Sequence, residues 1–147
     1  MLEPTELEAL GAYVEDVTKN RRRKLMVIGK IGADLRPMVP LVVQGAGGAE
    51  RKIPVLLSTG FREALLLPAA DVAALGLPST GERPVEFPDG SRIVATVHPA
   101  QVLLMGEAQS VDILAGGIEP RMGMHLLDGC RISMRFVPGE AVEAERL

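Results

Sequence analysis

Residues 55–78 read VLLSTGFREALLLPAADVAALGLP, and the order of short elements in this stretch decides how the rest of the chain is read. Val55 to Leu57 is a strand-sized apolar run that stops at three small residues, Ser58, Thr59 and Gly60. Leu65 to Leu67 is a second such run. Pro68 then stands at the favoured first helical position and Gly76 just past the end, which predicts a helix over Ala69 to Leu75. The same form returns at residues 119–129, EPRMGMHLLDG, where Met124 to Leu127 would make one further turn closed by Gly129.

On either side the chain keeps to short apolar runs: Leu25 to Ile28, Val39 to Val43, Ile53 to Leu57, Val85 to Phe87, Ile93 to Val97, Val102 to Met105, Val111 to Leu114 and Arg131 to Val137. With 16 Gly and 11 Pro punctuating the chain, this is the pattern of a compact β barrel or sandwich, and not of alternating βα units. QGAGGAE, residues 44–50, reads as a glycine-rich hairpin connection; it lacks the Lys-Ser/Thr of a phosphate loop. Pro88, Asp89 and Gly90 form a turn between Val85 to Phe87 and Ile93 to Val97, so that pair should project as a narrow ribbon.

Ahead of the strands, residues 5–19 read as an amphipathic helix. Thr5 and Glu8 have capping-box spacing, and Leu7, Leu10, Val14 and Val17 share one stripe that must cover either the domain or another chain. Arg21, Arg22, Arg23 and Lys24 follow, where cations complement the negative end of a helix dipole. The expected organisation is an N-terminal helix and basic connector over 1–24, a β domain over 25–143 and a short tail over 144–147.

Composition narrows the function classes. A chain of 147 residues fits one domain with a core large enough to need no staples, and its single cysteine, Cys130, allows no internal disulfide. Aromatics are only 3%, which argues against base stacking, and a net charge of −3 argues against a general nucleic-acid binder. The apolar stretch from Ile53 to Leu77 is broken by Ser58, Thr59, Arg62 and Glu63, so no membrane span is expected. The acidic N-terminus is unlike a secretory signal, and a cytoplasmic location is the expectation.

Residues 25–143 resemble the retropepsin-like aspartic proteases, in particular their small single-domain bacterial members. The matching stretches are VLLSTGF at 55–61, LLLPAADVAALGLP at 65–78, VEFPDGS at 85–91 and RMGMHLLDGCRISMRF at 121–136. In that family an apolar strand ends in Asp-Thr-Gly, a flap hairpin follows, and a later apolar pair plus Gly opens a short helix. The resemblance implies a mainly β fold closed into a barrel, a homodimer, and a cleft that holds an extended peptide. It places Thr59 and Gly60 in the structural half of the catalytic loop. Phe61, Met122 and Gly123, with Asp89 and Gly90 at the flap tip, fall at substrate-binding positions. It implies no metal and no cofactor.

The departure is at the catalytic residue, where the family's aspartate falls on Ser58. Two carboxylates a few ångströms apart share one proton, so that one can activate water while the other protonates the substrate carbonyl. A serine hydroxyl does neither at working pH. The expected function is therefore a catalytically impaired aspartic-protease-like domain that binds peptide. The alternatives are an active aspartic endopeptidase, if Ser58 replaces a natural Asp or another carboxylate serves, and an interaction protein working through the 5–19 stripe.

Other constellations carry less. Ser58 as a nucleophile would need a base, and His125, two residues after Gly123, is the histidine placed to approach it; the segment lacks a G-x-S-x-G elbow. Asp112 and Asp128, as replacement carboxylates, compete with simpler roles in a strand and at a turn end. His98, His125 and Cys130 lack a zinc-ligand pattern, and Met122, Met124 and Met134 read as core fillers.

Overall fold

The computed structural model describes residues 25–147. The helix expected over 5–19 and the basic run Arg21–Lys24 lie outside the described residues. Within them the chain is mainly β: β1 (Leu25–Ile31), β2 (Pro37–Gln44), β3 (Glu50–Leu57), β4 (Leu65–Leu67), β5 (Gly81–Glu86), β6 (Arg92–Leu104), β7 (Glu107–Ala115), β8 (Arg121–Met122), β9 (Cys130–Met134) and β10 (Ala141–Arg146). One α-helix, α1 (Ala69–Leu75), stands where Pro68 and Gly76 frame it. The Pro68 carbonyl accepts the Asp71 N–H at 3.0 Å, and Gly76 ends the helix in the left-handed region at φ 67°. Met124–Leu127 is a single 3-10 turn, which ends at Asp128 rather than at Gly129.

The strands form one sheet in the order β5-β6-β7-β4-β8-β3-β2-β1-β10-β9, with a further ladder between β6 and β2. The path leaving β6 through β7, β4, β8, β3 and β2 thus returns to β6. Alternation explains which face of each strand is covered: in β2, Val39, Leu41 and Val43 are buried while Pro40 is exposed, and in β3 Ile53, Val55 and Leu57 are buried while Pro54 is exposed. These side chains join Leu65, Leu67, Leu75, Ile113, Met122 and Leu126 in the main core. A smaller core of Phe61, Leu66, Val85, Ala95, Val97 and Leu114 sits at the base of the β5–β6 ribbon.

Three strand readings are corrected. The runs Ile93–Val97 and Val102–Met105 belong to one long strand, β6, which passes straight through Pro99. Pro99 faces Asp112 of β7, and on its other side it falls between the segment paired with β5 (92–97) and the segment paired with β2 (101–103); there its missing N–H interrupts no ladder. The run Arg131–Val137 is shorter as a strand, ending at Met134. Residues 144–146 are not a tail: β10 pairs with both β1 and β9, and Ala144 is buried. Its sequence, AVEAER, has too few apolar residues to read as a strand, because only Val142 and Ala144 face the core.

Candidate functional site

The loop after β3 is positioned by backbone bonds. β8 runs parallel to β3, with Leu57 beside Met122, and antiparallel to β4, with Leu65 beside the same Met122, so it is inserted between them. The Ser58 N–H donates to the Met122 carbonyl at 2.9 Å and so continues the β3–β8 pairing into the loop, while the Phe61 N–H turns back to the Ser58 carbonyl at 3.3 Å. From the other side the Gly123 N–H donates to the Ala64 carbonyl at 3.0 Å and the Met124 N–H to the Phe61 carbonyl at 2.9 Å. Gly123 is required by this approach: a Cβ there would lie 2.2 Å from the Glu63 carbonyl oxygen and 2.3 Å from that of Phe61. The two segments that share a form in the sequence are therefore bonded to one another.

Above this loop stands the β5–β6 ribbon. Its tip is a turn in which the Gly90 N–H donates to the Phe87 carbonyl at 2.9 Å and the Phe87 N–H to the Ser91 carbonyl at 2.8 Å. Gly90 adopts φ 86°, the left-handed conformation that favours glycine. Asp89 holds the turn with one carboxylate oxygen, which accepts the Ser91 hydroxyl at 2.6 Å and its N–H at 2.8 Å. Those bonds, the hydroxyl first, draw the Asp89 carboxyl below the usual aspartate range. Pro88 leans over the loop beneath: a Cβ on Gly60 would come within 2.9 Å of the Pro88 ring. Only a residue without a side chain leaves Pro88 in that position.

Between loop and ribbon lies a cleft of about 460 Å³, lined by Gly60, Arg62 and Glu63 below, Glu86, Phe87 and Pro88 above, and Met124 at the side. That volume is within the range of small-molecule and side-chain pockets. Glu63 is committed to Arg83, whose guanidinium donates to it at 2.7 Å and to Asp112 at 3.1 Å. Asp112 is thus the far end of an ion-pair bridge, and Asp128 is an exposed turn end.

The predicted site residues divide into two groups. Ser58 is half-buried, and Thr59, Gly60, Asp89 and Gly90 are exposed on the loop and the ribbon tip; of these five, Gly60 lines the cleft. Phe61, Met122 and Gly123 are buried beneath the loop: Phe61 is 1% exposed and Met122 is fully covered. Phe61 points into the smaller core because the chain reverses at Ser58–Phe61, and Met122 because it is flanked by strands on both sides. His125 is exposed, borders a different pocket together with Arg83 and Gln109, and makes no hydrogen bond with Ser58. His98 is a core histidine: its ring nitrogens bond with the Thr96 hydroxyl at 2.8 Å and with the Leu77 carbonyl at 2.9 Å. No group of three or more metal-ligating side chains occurs among the described residues.

Sequence reasoning missed Arg62, Glu63, Glu86, Phe87 and Met124 as cleft residues. Strand parity carries part of the signal: Val85 is buried, so its neighbour Glu86 on the same strand faces away from the core. Comparisons with protein-family models, with curated proteins and with solved structures find no match.

Proposed function

We propose that this chain is a retropepsin-like domain, its β2–β6 ladder closing a barrel, that pairs with a second copy and holds an extended peptide in its cleft without hydrolysing it. The observation that carries the reading is the juxtaposition of an intact floor and flap with a serine at the floor: Ser58–Gly60 lies under Pro88, held by the Met122 carbonyl, and presents a hydroxyl where acid–base catalysis needs a carboxylate. In a two-fold dimer one residue change alters both halves of the site. General acid–base groups contribute about a hundredfold to ten-thousandfold each, so losing the pair abolishes turnover. The carboxylates nearby do not replace the missing one: Glu63 is paired with Arg83, and Asp89 is tied into its own turn.

The test pairs the natural chain with Ser58→Asp. The natural chain should sediment as a dimer and capture peptides from an extended library without cleaving them. Ser58→Asp should give acid-favoured peptidase activity that is blocked by a transition-state mimic carrying a central hydroxyl. Cleavage by the natural chain that disappears in Ser58→Ala, or a strictly monomeric chain, would sink the proposal.

A further inference from the structure

Phe87 of the ribbon borders a second concavity beside the cleft. This groove, about 680 Å³, has apolar walls from Phe87, Ile118 and Pro120, and two charged residues border it, Arg121 and Glu119. Ile118 is 98% exposed, a branched apolar side chain left in water beside the groove. Arg121 is carried there by β8: its neighbour Met122 is buried, so Arg121 faces the opposite way, with its guanidinium carbon 6.0 Å from the centroid of the Phe87 ring.

The bonding of Arg121 differs from that of the other arginines nearby. Arg83 donates to two carboxylates, and Arg36 is hydrogen-bonded to Glu119 and lies 3.8 Å from Asp34. The Arg121 side chain donates no hydrogen bond among the described residues; its ion pair is with Glu119 at 4.0 Å, and the other oxygen of that carboxylate is held by Arg36. Asp89, close enough for its carboxyl to feel the charge of Arg121, directs an oxygen at Ser91 instead. A guanidinium that is ion-paired with Glu119 only at 4.0 Å, without a close side-chain hydrogen bond, can exchange that contact for a carboxylate on an aliphatic stem: the stem covers Phe87 and Ile118, and the two oxygens take parallel N–H bonds.

We infer that Arg121 selects an acidic side chain, glutamate above aspartate, at one position of the peptide held in the neighbouring cleft. The inference rests on the peptide-binding reading and adds the substrate class to it. The cleft and the groove share Phe87, so an extended chain under the ribbon, advancing about 3.3 Å per residue, brings alternate side chains past that ring.

The experiment is an array of extended octapeptides scanned with every residue at every position, probed with the full natural chain, Arg121→Gln and Arg121→Lys. The natural chain should enrich Glu at one position by about tenfold or more over Gln, the factor a charge-assisted bidentate pair supplies. Arg121→Gln should erase that enrichment while leaving the preferences at other positions in place, and Arg121→Lys should retain a weaker one. Melting curves of both variants establish that they fold. Capture with no acidic preference, or a preference that survives Arg121→Gln, overturns the role of Arg121 and leaves peptide binding intact. Capture of no peptide at all removes both.

Discussion

The loop around Ser58 and the turn around Asp89 face one another across the same cleft but are held by opposite means. The loop is fixed by main-chain bonds to β8 and the turn after it, over buried side chains, and backbone passes so close to backbone at Gly123 that one added carbon has no room. The ribbon tip is fixed by its own turn: two main-chain bonds and an exposed carboxylate, with open space around Gly90. The first arrangement is a rigid platform whose failure is global. The second rests on few contacts beyond its own turn, so its loss stays local.

The comparison can be broken at several places. Gly123→Ala should have the largest effect, because carbonyl oxygens of Phe61 and Glu63 must move to admit the methyl: a loss of about 3 kcal/mol, read from denaturant unfolding, with peptide capture lost as well. A stability within about 0.5 kcal/mol of the natural chain would mean that the two segments do not meet as described. Gly90→Ala meets no atom and is strained only by its left-handed backbone, so it should cost about 1 kcal/mol and leave the platform unchanged by amide hydrogen exchange.

The smallest effect concerns pH. The Asp89 carboxyl is drawn down in the folded turn, so whatever order it adds is present above its unfolded value, about 3.9, and fades as pH falls through the lower folded value. The Ser91 amide resonance should therefore titrate with a midpoint below the ordinary aspartate range, while the Ser58 amide stays unmoved. A common midpoint for both would show that ribbon tip and platform are coupled.

Much of the scaffold was legible in residue order. The helix at Ala69–Leu75 stands between its proline and its glycine, and the turn at Pro88–Gly90 and the hairpin at QGAGGAE are where their glycines place them. The misread strands have a physical cause. In β6, Pro99 is tolerated because neighbours on one side leave a gap, which no local pattern reveals; β10 is recognisable only once β1 and β9 flank it. Of the site, the Ser58–Gly60 loop and the Asp89 turn were visible, whereas the lining of the cleft was not. Glu63 and Phe87 acquire that role from what lies across from them.

Residue order by itself determined the alternating strands, the helix at Ala69–Leu75 and the absence of a carboxylate at residue 58, since these follow from side-chain periodicity and from what an atom can ionise. Tertiary structure decided that Phe61, Met122 and Gly123 are buried and that Arg83 donates to two carboxylates while Arg121 has Glu119 only at 4.0 Å. The reason is that burial and pairing are relations between segments far apart in the chain: β8 enters between β3 and β4 from more than fifty residues away, and only that insertion turns one face of Arg121-Met122 inward and the other toward the groove.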